Sequence, residues 1–470
     1  MDASGGDGNM DRRGFLGSVA AAGMGMAMGP MVVEADEGAG GGEEIRLALI
    51  GCGTQGMTLA QAMMGLRAGR EAMRGVRIAA VCDIWEDYAL KRAVRILQAY
   101  KQEAAGYVDY QEMLAKEKGL DAVVVATPDV WHEEQAVACL EARLHVYCEE
   151  SMAMTAAGAR RMVAAAAKAG RLLQVGYCRR SDARYRFAYE KLIQGERLLG
   201  RIGIVNGQWN QYRYFNLPVG WPKGTEICGA MLSEFGYDSM EQLRNWRDSR
   251  RHSGGPLLNR ASGQLDVFNW FLGTRPAGVL ASGGRNFLNA AQSQWYDNVM
   301  AVLEYETADG AVRAYYQTIP MNSGGGRYEA FVGDEGTLII DQGLSHATQV
   351  HRQPGLDTGQ KWNRLVREGV LKSIGKEDVA AGEMSWPLYV DESPPPYKMQ
   401  PYMLGLEDAE PFTMPHVGPH LENFFEAIRG RAELNCPGEA GFAALVTAGK
   451  VAQAMDDDGR IEVKRAEYEV

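Results

Sequence analysis

Residues 45–56 read IRLALIGCGTQG, and their reading decides the fold. Residues 45–50 are a short apolar run without polar alternation, the pattern of a strand buried on both faces of a parallel sheet. Gly51, Gly53 and Gly56 follow at once, and a helical pattern starts at Met57. In a dinucleotide site each glycine has its own task. Gly51 permits the tight turn, Gly53 lets the backbone approach a pyrophosphate, and Gly56 lets helix and strand pack closely. Thr54 and Gln55 complete the turn, where the helix N-terminus offers free N–H groups to the diphosphate.

The neighbouring segments repeat the strand–helix alternation of a doubly wound α/β domain. Residues 77–82 form a strand pattern ending in Asp83, a carboxylate placed to accept the ribose hydroxyls of NAD. Asp83 also repels a 2′-phosphate, and Ile84-Trp85 supplies no arginine to receive one, so NAD is favoured over NADP. Residues 122–126 form another strand and end in Thr127-Pro128, at the carboxyl edge where such sheets bind ligands. A helix over 131–142, a strand over 144–148, a helix capped by Thr155 and a strand over 172–175 complete a Rossmann domain at 45–176. A doubly wound domain serving another ligand is the alternative.

Composition agrees with two globular domains. The 470 residues are 46% hydrophobic and 23% charged, and 49 Lys plus Arg against 60 Asp plus Glu give a net charge of −11. An acidic chain of this kind is a poor ligand for nucleic acid or an anionic membrane surface. Seven cysteines without a C-x-x-C pair exclude a disulfide framework and a cysteine-rich zinc module. His416 and His420 have helical metal-ligand spacing, but Pro415, Gly418 and Pro419 argue against a regular helix there. No metal site is expected.

Residues 1–44 read as an address. Asp11-Arg12-Arg13-Gly14-Phe15-Leu16 and the weakly apolar 15–33 form a twin-arginine export signal followed by a linker. A short membrane anchor is the alternative, and Gly17, Gly23, Gly25 and Gly29 make it a poor span. The expectation is a protein exported already folded to the periplasm, with no stable membrane span after signal cleavage.

Strand patterns return at 202–212, 298–305, 311–318 and 336–341 in a second domain, 177–470. Residues 341–415 read as a long insertion and 420–455 as a helical tail.

These motifs together resemble the glucose–fructose oxidoreductase, inositol dehydrogenase and MocA family of NAD(P)-dependent sugar oxidoreductases. The carriers include the turn at Gly51, Ala126-Thr127-Pro128-Asp129 with His132, and Tyr147-Cys148-Glu149. Gly254-Gly255-Pro256, Asp266 with Trp270, Trp295-Tyr296-Asp297-Asn298 and Pro419-His420-Leu421-Glu422-Asn423-Phe424 extend the likeness through the chain. The resemblance implies a C-terminal α+β domain with an open, mostly antiparallel sheet and a helix near 265–272 facing the cofactor. It also implies a homo-oligomer, dimer or tetramer, formed through the sheet's outer face. Thr127, Pro128, His132 and Glu149 are the cofactor-side residues it implies.

The acid–base pattern departs from the family. Where the family has Glu-Lys-Pro, this chain has Glu149-Glu150-Ser151; where it has Asp and, four residues later, His, this chain has Asn259 and Gly263. Oxidising an alcohol needs a group to take the hydroxyl proton. Glycine and an amide cannot do so, which leaves Glu150, Tyr177 and Asp266 as candidates. Glu149 beside Glu150 predicts a raised carboxyl pKa by like-charge coupling. Trp209, Asn210 and Arg213 are candidate sugar contacts by stacking and hydrogen bonding, with Asn259, Arg179 and Arg180. Three functions fit: a sugar or cyclitol oxidoreductase with a rearranged acid–base set, a redox-neutral glycosidase using tightly bound NAD, or a sugar-binding relic.

Overall fold

The computed structural model describes residues 44–65, 70–210, 219–287, 293–319, 323–342, 348–353, 359–373, 397–399 and 417–470. The signal and linker reading at 1–44 lies outside them except for Glu44, as do Arg213, His416 and much of the 341–415 segment.

The first sheet is parallel, in the order β3-β2-β1-β4-β5-β6. Its strands are β1 (Ile45–Ile50), β2 (Val76–Cys82), β3 (Ala105–Tyr107), β4 (Ala122–Val125), β5 (His145–Cys148) and β6 (Leu173–Val175). Strand β4 is buried along its whole length, and β1 and β5 at every residue but Arg46 and His145, as apolar runs without alternation require. Helices α1 (Thr54–Gly65), α2 (Lys91–Ala99), α3 (Tyr110–Lys116), α4 (Asp129–Glu141) and α5 (Ala156–Ala169) make the crossovers. Thr155 caps α5 by accepting from the Gly158 N–H. Strand order reverses at β1, so the glycine turn after it lies at the switch point where doubly wound sheets bind ligands.

The second sheet has ten strands, in the order β14-β15-β13-β12-β11-β7-β10-β9-β8-β16. These are β7 (Ile202–Asn210), β8 (Pro276–Gly284), β9 (Asn298–Thr307), β10 (Gly310–Ile319), β11 (Arg327–Gly333), β12 (Gly336–Asp341), β13 (Thr348–Arg352), β14 (Leu371–Ser373), β15 (Tyr397–Met399) and β16 (Arg460–Glu462). Among the described residues only the β7–β10 pair of this sheet is parallel. Strands β13 to β15 come from the segment read as an insertion, whose described part extends the sheet.

Helix α6 (Ser262–Leu272) packs on the inner face, where Phe268 lies against the bare backbone of Gly207. The outer face alternates as a one-sided sheet does, with Val299, Ala301, Leu303 and Tyr305 buried on β9 while Met300 points outward. Helices α7 (Val417–Ile428) and α8 (Gly438–Asp456) form the tail, and α8 touches both α5 and α6.

The helix break expected at Gly418 and Pro419 does not occur. Both lie in the first turn of α7, where a proline's missing N–H breaks no helical hydrogen bond. His420 is fully buried and bonds Ser181 Oγ and the Val175 carbonyl, a packing role. Among the described residues no His, Cys, Asp and Glu cluster can hold a metal ion. Among them, too, no helix is long and apolar enough to cross a membrane.

Candidate active site

The glycine turn has the space that its sequence demands. Gly51 sits at φ +95°, and a side chain there would come within 2.5 Å of the Ala126 carbonyl oxygen. A Cβ on Gly56 would strike the Gly51 carbonyl, so α1 lies directly on the turn. At Gly53 nothing lies within 4 Å of the Cβ position, which leaves open room for a diphosphate. Thr54 and Gln55 begin α1, Thr54 exposed and Gln55 half-buried. Asp83 Oδ2 accepts from the Cys52 N–H and Oδ1 from the Trp85 N–H, both at 2.8 Å, which fixes the carboxylate beside the turn. Burial raises its pKa. A hollow for a diphosphate, a helix N-terminus and an anchored ribose-side carboxylate fit NAD.

Two loops at the same edge are tied together by His132. Its Nε2 lies 2.8 Å from the Thr127 carbonyl and its Nδ1 2.7 Å from the Ser151 carbonyl. With a carbonyl at each ring nitrogen, both nitrogens must donate, which is the imidazolium form. Burial pulls its pKa down, but Cys148, Asp129 and the Ser151 carbonyl outweigh burial and push it up to about 10. Thr127 Oγ1 donates to Gln135, and Pro128 precedes the first turn of α4. Glu149 Oε1 accepts from Gln55 Nε2 at 3.0 Å, which links the β5 loop to the glycine turn.

Beyond Glu149 the chain carries Glu150 against α6. The space that a side chain at Gly263 would fill is taken by two groups: the Arg179 guanidinium and Glu150 Oε2, which lies 2.9 Å from the Cβ position. A carboxylate and a cation therefore meet at the bare backbone of α6. Burial first pushes the Glu150 pKa up; Arg179 draws it down and Glu149 raises it, leaving it at about 8. The raised value matches the reading from sequence, although burial outweighs the like-charge coupling. Arg179 is held from behind. Its Nη2 donates to Gln342 Oε1 at 2.8 Å, its Nε stands 3.6 Å from the buried Glu329, and it lies over Trp209.

The other candidates divide between this wall and the scaffold. Tyr177 is fully buried, with burial and then Glu150 holding its pKa well above the usual value. Asp266 is fully buried and takes a bidentate pair from Arg180, at 2.7 and 2.9 Å, with Arg180 also over Trp270. These two bond each other rather than open space. Asn259 Nδ2 lies within 3.0 Å of Asp129, Ser253 and the Gly255 carbonyl, so its amide is a structural tie. Asn210 is buried, donating to the Gly324 carbonyl and accepting from Gln317. Trp209 stands between Arg179 and Arg327, 5.4 and 5.1 Å from its ring centre. From sequence Arg179 and Arg180 read as substrate contacts or as an exposed charged pair; in the fold neither is exposed, and each stands beside a buried carboxylate. The seat of Arg179 at position 263 depends on a fold contact across 84 residues, and the glycine at 263 was the available signal.

Comparison with known proteins agrees with this geometry. Residues 45–177 match the Gfo/Idh/MocA model described as an oxidoreductase family, NAD-binding Rossmann fold. Residues 195–463 match the same family's C-terminal alpha/beta domain. Inositol 2-dehydrogenase of Salmonella typhimurium (strain LT2) is 35% identical over 144 residues, 30% of this chain and 41% of that one. Inositol 2-dehydrogenase 2 of Saccharopolyspora erythraea is 33% identical over 190 residues, 40% of this chain and 50% of that one. The matches thus span half or less of these curated relatives. Levoglucosan dehydrogenase in complex with NADH and levoglucosan shares the fold, with TM-score 0.67 and 17% identity over 90% of this chain and 100% of that one. So does the WlbA dehydrogenase from Chromobacterium violaceum in complex with NADH and UDP-GlcNAcA, with TM-score 0.61 and 20% identity over 93% and 99%. With its glycine turn, its anchored Asp83 and both domains matched, the chain belongs to the Gfo/Idh/MocA oxidoreductase family and carries that family's NAD-binding Rossmann domain.

Proposed function

We propose that this protein is an NAD-dependent oxidoreductase of a sugar or cyclitol, with Glu150 as its acid–base group and Arg179 as the cation beside it. The observation that carries the reading is the meeting of Glu150 and Arg179 over Gly263. Bound NAD supplies the hydride acceptor. Glu150 takes the hydroxyl proton of the alcohol being oxidised. Arg179 keeps its charge at any working pH and stabilises negative charge growing on that oxygen. The cation that the family places at position 150 thus arrives from position 179, and the carboxylate occupies 150. Tyr177 and the Arg180–Asp266 pair hold the wall around them.

The test is nicotinamide absorbance with NAD and a panel of sugars and cyclitols. Net NADH with some alcohols, lost in Glu150→Gln, supports the reading. Glycoside cleavage without net NADH, with solvent deuterium at the sugar C2, supports redox-neutral cleavage instead. A carboxyl group with a pKa of about 8 favours that second reading, because it is mostly protonated at neutral pH and can protonate a leaving oxygen.

Export and assembly belong to the same proposal. Arg12-Arg13 and the apolar 15–33 support twin-arginine export to the periplasm, tested by secretion in strains with and without that route. The exposed Ile204, Leu280, Met300 and Tyr315 lie on neighbouring strands of the second sheet's outer face and support a homo-oligomer. Light scattering of the wild type and of Met300→Lys tests it.

A further inference from the structure

Residues 219–256 leave the second domain and return to it, and their contacts fall at the ligand edge of the first sheet. Trp85, just past β2, donates its indole N–H to the Thr225 carbonyl. Arg244 lies over the same indole, 5.2 Å from its centre, near enough to Asp83 for each to act on the other's pKa. On the far side of the glycine turn, just past β4, the Trp131 indole N–H donates to Tyr237 Oη at 3.3 Å. The Val130 N–H donates to the His252 carbonyl, and the Gly254 N–H to Asp129 Oδ2 at 3.0 Å. Ile227, Leu232, Tyr237 and Met240 are buried in one cluster with Met57 and Trp85.

Strand β1 lies between β2 and β4, so an element fastened past both must cross the mouth of the turn between them. We infer that residues 219–256 are a strap over the adenosine half of the cofactor groove, that Arg244 on this strap is a nucleotide-binding residue, and that NAD is held as a resident group. The chemistry suits an adenosine diphosphate. Asp83 accepts hydroxyl hydrogens, and the Arg244 cation offers donors to phosphate or a face to a purine. Arg244 comes to the Asp83 side of the turn from the strap, not from the loop after β2. A nucleotide leaves only when the strap's hydrogen bonds and its apolar contacts open together, which slows release.

The inference rests on NAD binding and not on the reaction, and stands whichever alcohol or glycoside is the substrate. The purified full chain is loaded with NAD and desalted, and the nucleotide remaining is followed by mass spectrometry of the denatured protein. The wild type is expected to keep NAD through desalting. Trp85→Phe and Arg244→Ala should each release it at least about tenfold faster, with Arg244→Lys between them and wild type. Tyr237→Phe removes one acceptor and serves if the other variants unfold, which the melting temperature without nucleotide reports. Complete loss of NAD from the wild type on desalting, failure to load it, or equal retention by every folded variant overturns the inference.

Discussion

Gly53 and Gly263 both lack a side chain at a functional wall, and the space around them differs. A Cβ on Gly53 meets nothing within 4 Å, whereas one on Gly263 runs into Arg179 and Glu150. The first position faces open space; the second is filled by the chain itself. What occupies the missing volume tells the two apart: open space at Gly53, and charged groups from the loops after β5 and β6 at Gly263.

This contrast breaks at its chemical end if Glu150 is idle. Glu150→Gln keeps the volume and removes the titrating group, so turnover should fall by about 10²–10⁴ while NAD binding stays near wild type. Unchanged turnover would mean that another group moves the proton. The Gly53 end is tested by Gly53→Val. The nucleotide-free protein should melt as wild type does, because the hollow is empty of protein, while NAD affinity drops by about tenfold or more. A loss of stability without loss of affinity would assign the hollow to packing. Gly263→Ala is milder: the added methyl meets the guanidinium end of Arg179, and the cost should be about 1–3 kcal/mol in denaturant unfolding. Its effect on turnover should exceed its effect on NAD binding, since the displaced groups are Arg179 and Glu150.

The cofactor half was legible in sequence because its chemistry is local. Strand, glycine turn, helix and Asp83 follow one another within 39 residues, and backbone sterics impose that order wherever a dinucleotide is bound. The wall of Glu150 and Arg179 was less legible, because it is not local: Arg179 reaches Gly263 through the contact of the short turn after β6 with α6. Asn259 shows the same limit. As an amide in place of a carboxylate it invites a substrate role, yet it bonds Asp129, Ser253 and Gly255 at the root of the strap. The helix through Pro419 was missed for a smaller reason: a proline breaks a helix interior and is tolerated in a first turn.

The smallest effect concerns stability and needs no substrate. Glu150 has its pKa raised from 4.5 to about 8, with burial the main cause. Between those values the folded chain keeps a proton that the unfolded chain has released. Stability from this group is therefore complete below the lower value and is lost as pH rises through the upper one. Glu150→Gln has no such proton to lose. Its melting temperature should match wild type near the lower value and exceed it at alkaline pH, by an amount corresponding to about 1–3 kcal/mol. Arg179→Gln should act in the opposite direction, because removing the cation leaves Glu150 charged without its partner and raises the upper pKa further. Parallel pH–melting curves for wild type and Glu150→Gln would place the carboxylate in water, and the wall over Gly263 would then have no buried acid.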